Sequence, residues 1–174
     1  MKSTAFDVDL ESRAQLLIAF PRILIMAGEI TARAGDALIF EEFGLNVAKF
    51  SLLATLSHCG GQLSMSELKD QARMMRSQSN LTQMVDDLEA RHLLQRISSK
   101  EDRRVSLVEI TDEGRALTER VMVKYFEIMD VYLKDFPTNE LRDTVMVMIK
   151  WIWKAGDAAG VGHLRPTPNP FDEA

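Results

Sequence analysis

A change of hydrophobic period near residue 93 constrains this chain more than any other feature. Up to that point apolar residues recur at helical spacing. Leu93-Leu94-Gln95-Arg96-Ile97 and Val105-Ser106-Leu107-Val108-Glu109-Ile110 instead have strand composition. Between them lies Ser98-Ser99-Lys100-Glu101-Asp102-Arg103-Arg104, polar and charged. Two short strands joined by a basic tip make a β-hairpin. The expected fold class is mainly α with this one small hairpin.

The flanking helices are marked by their ends. Residues 8–20 read as a helical lead-in that stops at Pro21, because proline breaks a helix interior. A longer helix follows, with Ile23, Ala27, Ile30, Ala34, Ala37 and Leu38 at helical spacing, and Gly44 ends it. Asn46 is placed to cap the next helix, which runs through Leu52, Leu53 and Leu56 to about His58 before Cys59-Gly60-Gly61 breaks it. Ser64-Met65-Ser66-Glu67 is a capping-box sequence and predicts a short helix over 65–73. A third helix starts at Ser77 and ends near Arg91-His92, with Leu81, Met84, Val85 and Leu88 as its apolar stripe. After the hairpin, Thr111 caps a long helix striped by Leu117, Val121, Tyr125, Met129 and Leu133. Pro137-Thr138 opens the last helix, and residues 160–174 read as an irregular tail.

Composition excludes several classes. The chain has 174 residues, 46% of them hydrophobic, enough for a folded core. Charge interrupts every apolar run, so no transmembrane helix is expected. The acidic start, with Asp7, Asp9 and Glu11, is unlike a secretory signal, and the expected location is cytoplasmic. Cys59 is the single cysteine, and His58, His92 and His163 are scattered, so neither a disulfide nor a metal site is expected. No nucleophile–base pair or phosphate-cradling loop is present, so no enzyme and no cofactor are expected. The net charge of −5 opposes contact with a polyanion. Its distribution does not: residues 73–104 carry seven bases and five acids, a local +2 that leaves −7 elsewhere.

Helix, short helix, helix and hairpin, in that order, make a winged helix-turn-helix. Its third helix fits the major groove of duplex DNA. Ser77, Gln78, Ser79, Asn80, Thr82 and Gln83 give that helix a polar face able to bond base edges and phosphates. Lys100, Arg103 and Arg104 give the wing tip a cationic end.

The run Asp102-Arg103-Arg104-Val105 to Ile110-Thr111-Asp112-Glu113-Gly114 resembles the wing of the MarR family, roughly D-x-R, an apolar strand, then L-T-x-x-G. Ser77 to Arg91 resembles the recognition helix of that family, and Phe43-Gly44-Leu45 through Leu56 the elements before it. The resemblance covers about residues 21–156. It implies a homodimer on a double-stranded, pseudo-palindromic DNA operator, with half-sites roughly 34–36 Å apart. It divides the chain into a lead-in (1–20), a helical dimerisation region (21–44 and 111–156), the DNA-binding module (45–110) and a tail (157–174). It implies that Asp102 steadies the wing tip, that Arg104 enters the minor groove and that Arg103 meets phosphate. It further implies a repressor released by a small effector, such as an aromatic acid or thioester, with Met26, Phe43, Phe50, His58, Met122 and Tyr125 as candidate pocket residues. Met75 and His92 stand where the family often has glycine. Histidine tolerates the left-handed region better than branched residues do. The alternative reading is a winged-helix dimer that serves as a protein-interaction or ligand-sequestering module.

Overall fold

The computed structural model describes residues 8–71, 78–98 and 106–160, apart from the side chains of 70 and 78–80. The described parts of the predicted interface are therefore the recognition helix from Gln78 onward and the wing strands. Ser77, Lys100, Asp102, Arg103, Arg104 and the turn residue Met75 lie outside the described residues. The chain divides into two compact units, 1–47 and 48–174.

In the first unit, α1 (Arg13–Gly35) runs on through a π-helical turn (Asp36–Phe40) and a 3-10 turn (Glu41–Phe43). Pro21 does not end the lead-in; it sits inside α1. An interior proline costs about 3 kcal/mol, yet it removes only one backbone bond, and its fixed φ suits a helix. Good helix formers on both sides, Leu16-Leu17 before and Leu24 and Met26 after, carry the helix across it. Gly44, at φ 65°, closes the run. Its N–H donates to the Glu41 carbonyl (2.9 Å), and the Leu45 N–H reaches back to the Phe40 carbonyl (3.0 Å). This is a Schellman close, whose left-handed residue is cheapest as glycine. The Val47 N–H is taken by Asp36 Oδ1 (2.5 Å), a carboxylate eleven residues upstream. By length and composition, Arg13–Phe43 is apolar enough to cross a membrane, and almost none of it is buried in the single chain. Arg22, Glu29 and Arg33 interrupt it.

The second unit holds α2 (Val47–His58, from residue 48), β1 (Gln62–Ser64), α3 (Met65–Gln71), α4 (Gln78–Ala90), β2 (Leu94–Ser98), β3 (Ser106–Ile110), α5 (Asp112–Leu133) and α6 (Thr138–Ala159). The hairpin β2–β3 forms as expected, but the sheet has a third strand. Its order is β1-β3-β2, all antiparallel. β1 is the segment just before the capping box, pairing Leu63 with Val108. The core is Leu52, Leu53 and Leu56 of α2, Leu68 of α3, Leu81, Val85 and Leu88 of α4, Leu94, Val108 and Ile110 of the sheet, and Leu117 and Val121 of α5, all buried. The capping box is made: the Ser64 N–H donates to Glu67 Oε2 (2.8 Å), and the Glu67 N–H donates to Ser64 Oγ (3.2 Å).

Candidate nucleic-acid interface

The predicted recognition helix, α4, is built as an amphipathic rod. Leu81, Val85 and Leu88 recur at i, i+4 and i+7 and are fully buried. Thr82 and Gln83, predicted to meet DNA, are exposed. Gln78, Ser79 and Asn80 occupy the first turn of the same helix. No acidic residue occurs between Gln78 and Val85. The first turn of the helix, where backbone N–H groups favour anions, thus carries no acidic residue.

The other end of α4 is locked to the wing and to α5. His92 is the one non-glycine residue at positive φ (60°) among the described residues. Its N–H donates to the Glu89 carbonyl (2.9 Å), and the Leu93 N–H donates to the Leu88 carbonyl (3.0 Å). This is the same Schellman geometry that Gly44 makes, with Leu88 and Leu93 both buried beside it. The Thr111 hydroxyl donates to the His92 carbonyl (2.7 Å) and accepts from the Gly114 N–H (3.0 Å). One side chain therefore ties the end of the recognition helix to the start of α5. Gly114 is fixed by a close approach. A Cβ there would stand 2.2 Å from the Leu93 carbonyl oxygen and 2.8 Å from Ile110 Cγ1.

Two cations hold α4 from the side. Lys49 Nζ lies 3.2 Å from Asp87 Oδ2. Arg96 of β2 pairs with both Asp86 and Glu89. The hydrogen bond to Asp86, together with the charges of Glu89 and Asp86, keeps the Arg96 guanidinium above its ordinary pKa against a desolvation penalty. Hydrogen bonds from the Ser64 backbone and side chain hold the Glu67 carboxyl below the ordinary 4.5.

Arg96 is one of the seven bases of the cationic window, and the structure gives it a partner other than DNA. The alternation of the strand carries the signal. Arg96 pairs with Val108 in register and so shares a sheet face with Leu94 and Ile110, which are buried. A cation on that face needs a carboxylate, and α4 supplies two. The third strand, at three residues, is too short to leave a periodic mark in the sequence.

The candidate pocket residues divide between the units. Met26 and Phe43 belong to the first and are half-buried. Phe50, Met122 and Tyr125 are half-buried in the second, where His58 is exposed. Among the described residues no group of three His, Cys, Asp or Glu is placed to hold a metal.

Comparison with known proteins agrees with this architecture. Residues 37–121 match a family model described as transcriptional regulator SarA/Rot. The helix-turn-helix repressor MdtR of Bacillus subtilis is 33% identical over 110 residues, covering 63% of this chain and 69% of that protein. The chain belongs to the MarR family of winged helix-turn-helix transcriptional regulators. Three other curated regulators that it matches are spanned over 58% to 66% of their length. Two solved members of the MarR-type fold superpose well. A mutant of Escherichia coli MarR complexed with operator DNA gives a TM-score of 0.68 at 20% identity, over 81% of this chain and 99% of that one. PcaV of Streptomyces coelicolor, solved with its natural ligand, gives 0.61 at 25% identity, over 87% and 97%.

Proposed function

We propose that this MarR-family chain is a homodimeric regulator that reads a pseudo-palindromic DNA operator, acting as a repressor released by a small effector. The carrying observation is the division of α4. Its acidic second half is held by Lys49 and Arg96, and its first half presents Thr82 and Gln83 to solvent, with Asp86, the first acidic residue along the helix, already paired to Arg96. In this reading Ser77, Gln78, Ser79 and Asn80 join them at base edges and phosphates. Lys100, Arg103 and Arg104 meet the backbone and minor groove, with Asp102 steadying the tip.

A second chain accounts for the apolar surface that one chain leaves open. Ile18 and Ile25 of α1, Phe126 and Val131 of α5 and Val147 of α6 are each more than half exposed. Large exposed apolar surface of this kind marks an association site. The solved complex of MarR with operator DNA and that of PcaV with its natural ligand are consistent with both kinds of partner. Met26, Phe43, Phe50, His58, Met122 and Tyr125 are the residues proposed to meet the effector.

The net charge of −5 favours one rival, a winged-helix dimer that binds protein or ligand and ignores DNA. Titration of the chain against the duplex upstream of its own gene, beside a scrambled duplex and at two salt concentrations, separates them. The regulator binds the first duplex selectively and loses affinity steeply with salt. Equal or absent binding to both duplexes favours the rival. A fall in operator affinity on adding aromatic acids identifies the effector class.

A further inference from the structure

The second half of α4 carries Asp86, Asp87 and Glu89. On a helix that meets a polyanion each carboxylate repels phosphate, since the Debye length is about 8–10 Å at ordinary salt. All three are engaged with cations from neighbouring elements. Lys49 of α2 takes Asp87. Arg96 of β2 takes the other two: Nη2 donates to Asp86 Oδ1 (2.5 Å), and Nη1 donates to Glu89 Oε2. The Arg96 backbone N–H also donates to Glu89 Oε1 (2.9 Å). Glu89 thus accepts from both the main chain and the side chain of one strand residue.

Asp86 and Glu89 are three apart, so they stand on one face of the helix, about a turn from each other. A guanidinium is planar and presents its donors in a rigid fork. A fork that reaches two points on one face fixes the rotation of the helix about its axis as well as its distance from the strand. A single ion pair fixes only the distance. The strand that carries Arg96 is the one that leads into the hairpin. Partly exposed ion pairs contribute little to stability, so this arrangement acts chiefly on geometry.

We propose that Arg96 is a positioning residue for DNA recognition, bracing α4 against β2 so that the recognition helix and the wing meet the duplex together. The inference rests on the DNA-binding reading above.

Neutralising the two carboxylates gives a test in which charge and geometry predict opposite signs. In Asp86→Asn/Glu89→Gln, each chain sheds two negative charges from its DNA-facing helix. Charge alone predicts tighter binding to the duplex from upstream of the gene. The brace predicts weaker binding, with Kd rising about tenfold. The slope of log K against log salt should also become shallower, by about 0.9 for each phosphate that the protein no longer neutralises. Arg96→Lys keeps the charge but replaces the rigid fork with a single ammonium on a flexible stem, so its Kd and slope should fall between those of wild type and the double variant.

Circular dichroism and the thermal midpoint confirm that each variant is folded. A folded double variant that binds as tightly as wild type, or more tightly, overturns the brace while the regulator reading stands. If the double variant does not fold, Arg96→Lys decides: wild-type Kd and slope overturn the brace, and a raised Kd with a shallower slope supports it. Absence of selective binding by the wild-type chain overturns the brace and the regulator reading together.

Discussion

The stretch from Leu52 to Val121 mixes helices with the sheet, the stretch from Met122 to Gly160 is almost all helix, and the two are stabilised differently. Among the described residues the first supplies all the buried apolar side chains of the second unit, with Leu52, Leu56, Leu81 and Leu88 fully enclosed. In the second, Gly156 is the one buried residue. The boundary falls inside a single helix: α5 buries Leu117 and Val121, then leaves Val123, Phe126 and Val131 exposed. The winged module therefore has its own core. The later helices present an apolar face that nothing among the described residues of the same unit covers. Helices of this kind draw most of their stability from packing on a partner.

Core substitutions should show the largest effects, and they should be confined to the module. Leu88→Ala removes a fully buried side chain from α4 and should destabilise the fold by about 2–5 kcal/mol in urea unfolding. Val147→Ala, on exposed α6, should leave the unfolding of a dilute, monomeric chain nearly unchanged. Equal losses at the two sites would erase the distinction. Next in size is association. Phe126→Asp places a charge in the proposed dimer face and should raise the dimer dissociation constant by at least roughly tenfold, about 1.4 kcal/mol. Sedimentation would show this as dissociation at a higher concentration, with the circular dichroism of the module retained.

Two smaller effects probe the corners that set α4. His92 at φ 60° carries a strain that glycine lacks. His92→Gly should stabilise the module by less than about 1 kcal/mol, because the greater freedom of glycine in the unfolded chain offsets part of the gain. A clear loss of stability would mean that the imidazole has a role of its own. The smallest effect is the pH dependence of the capping box. The folded-state pKa of Glu67 is lowered, so its contribution is complete above the ordinary 4.5 and is lost as pH falls through the folded value. The drop in thermal midpoint through that acid range should be smaller in Glu67→Gln than in wild type.

Much of the fold was legible because it is local. The Ser64–Glu67 box and the Thr111 cap each satisfy a partner three residues away, so local spacing exposes them. The left-handed histidine was flagged by the family resemblance, since it stands where the family often has glycine. Pro21 misled because a local rule lost to the apolar helix on either side of it. The strand Gln62–Ser64 escaped because its partner is remote, and the Arg96 brace because it joins a strand to a helix across the turn between them. Strand β1 exists only through β3, more than forty residues on, and the two carboxylates that Arg96 holds lie on the preceding helix. The pocket residues remain a family expectation, divided as they are between two units.

In the proposed function, the winged module reads DNA only as one of a pair held by α1, α5 and α6. Light scattering of the chain saturating one upstream duplex gives the stoichiometry directly. The account predicts two chains per duplex for wild type and loss of that complex in Phe126→Asp at the same concentration. A single chain per duplex, or an undiminished complex in a variant shown to be monomeric, would contradict it.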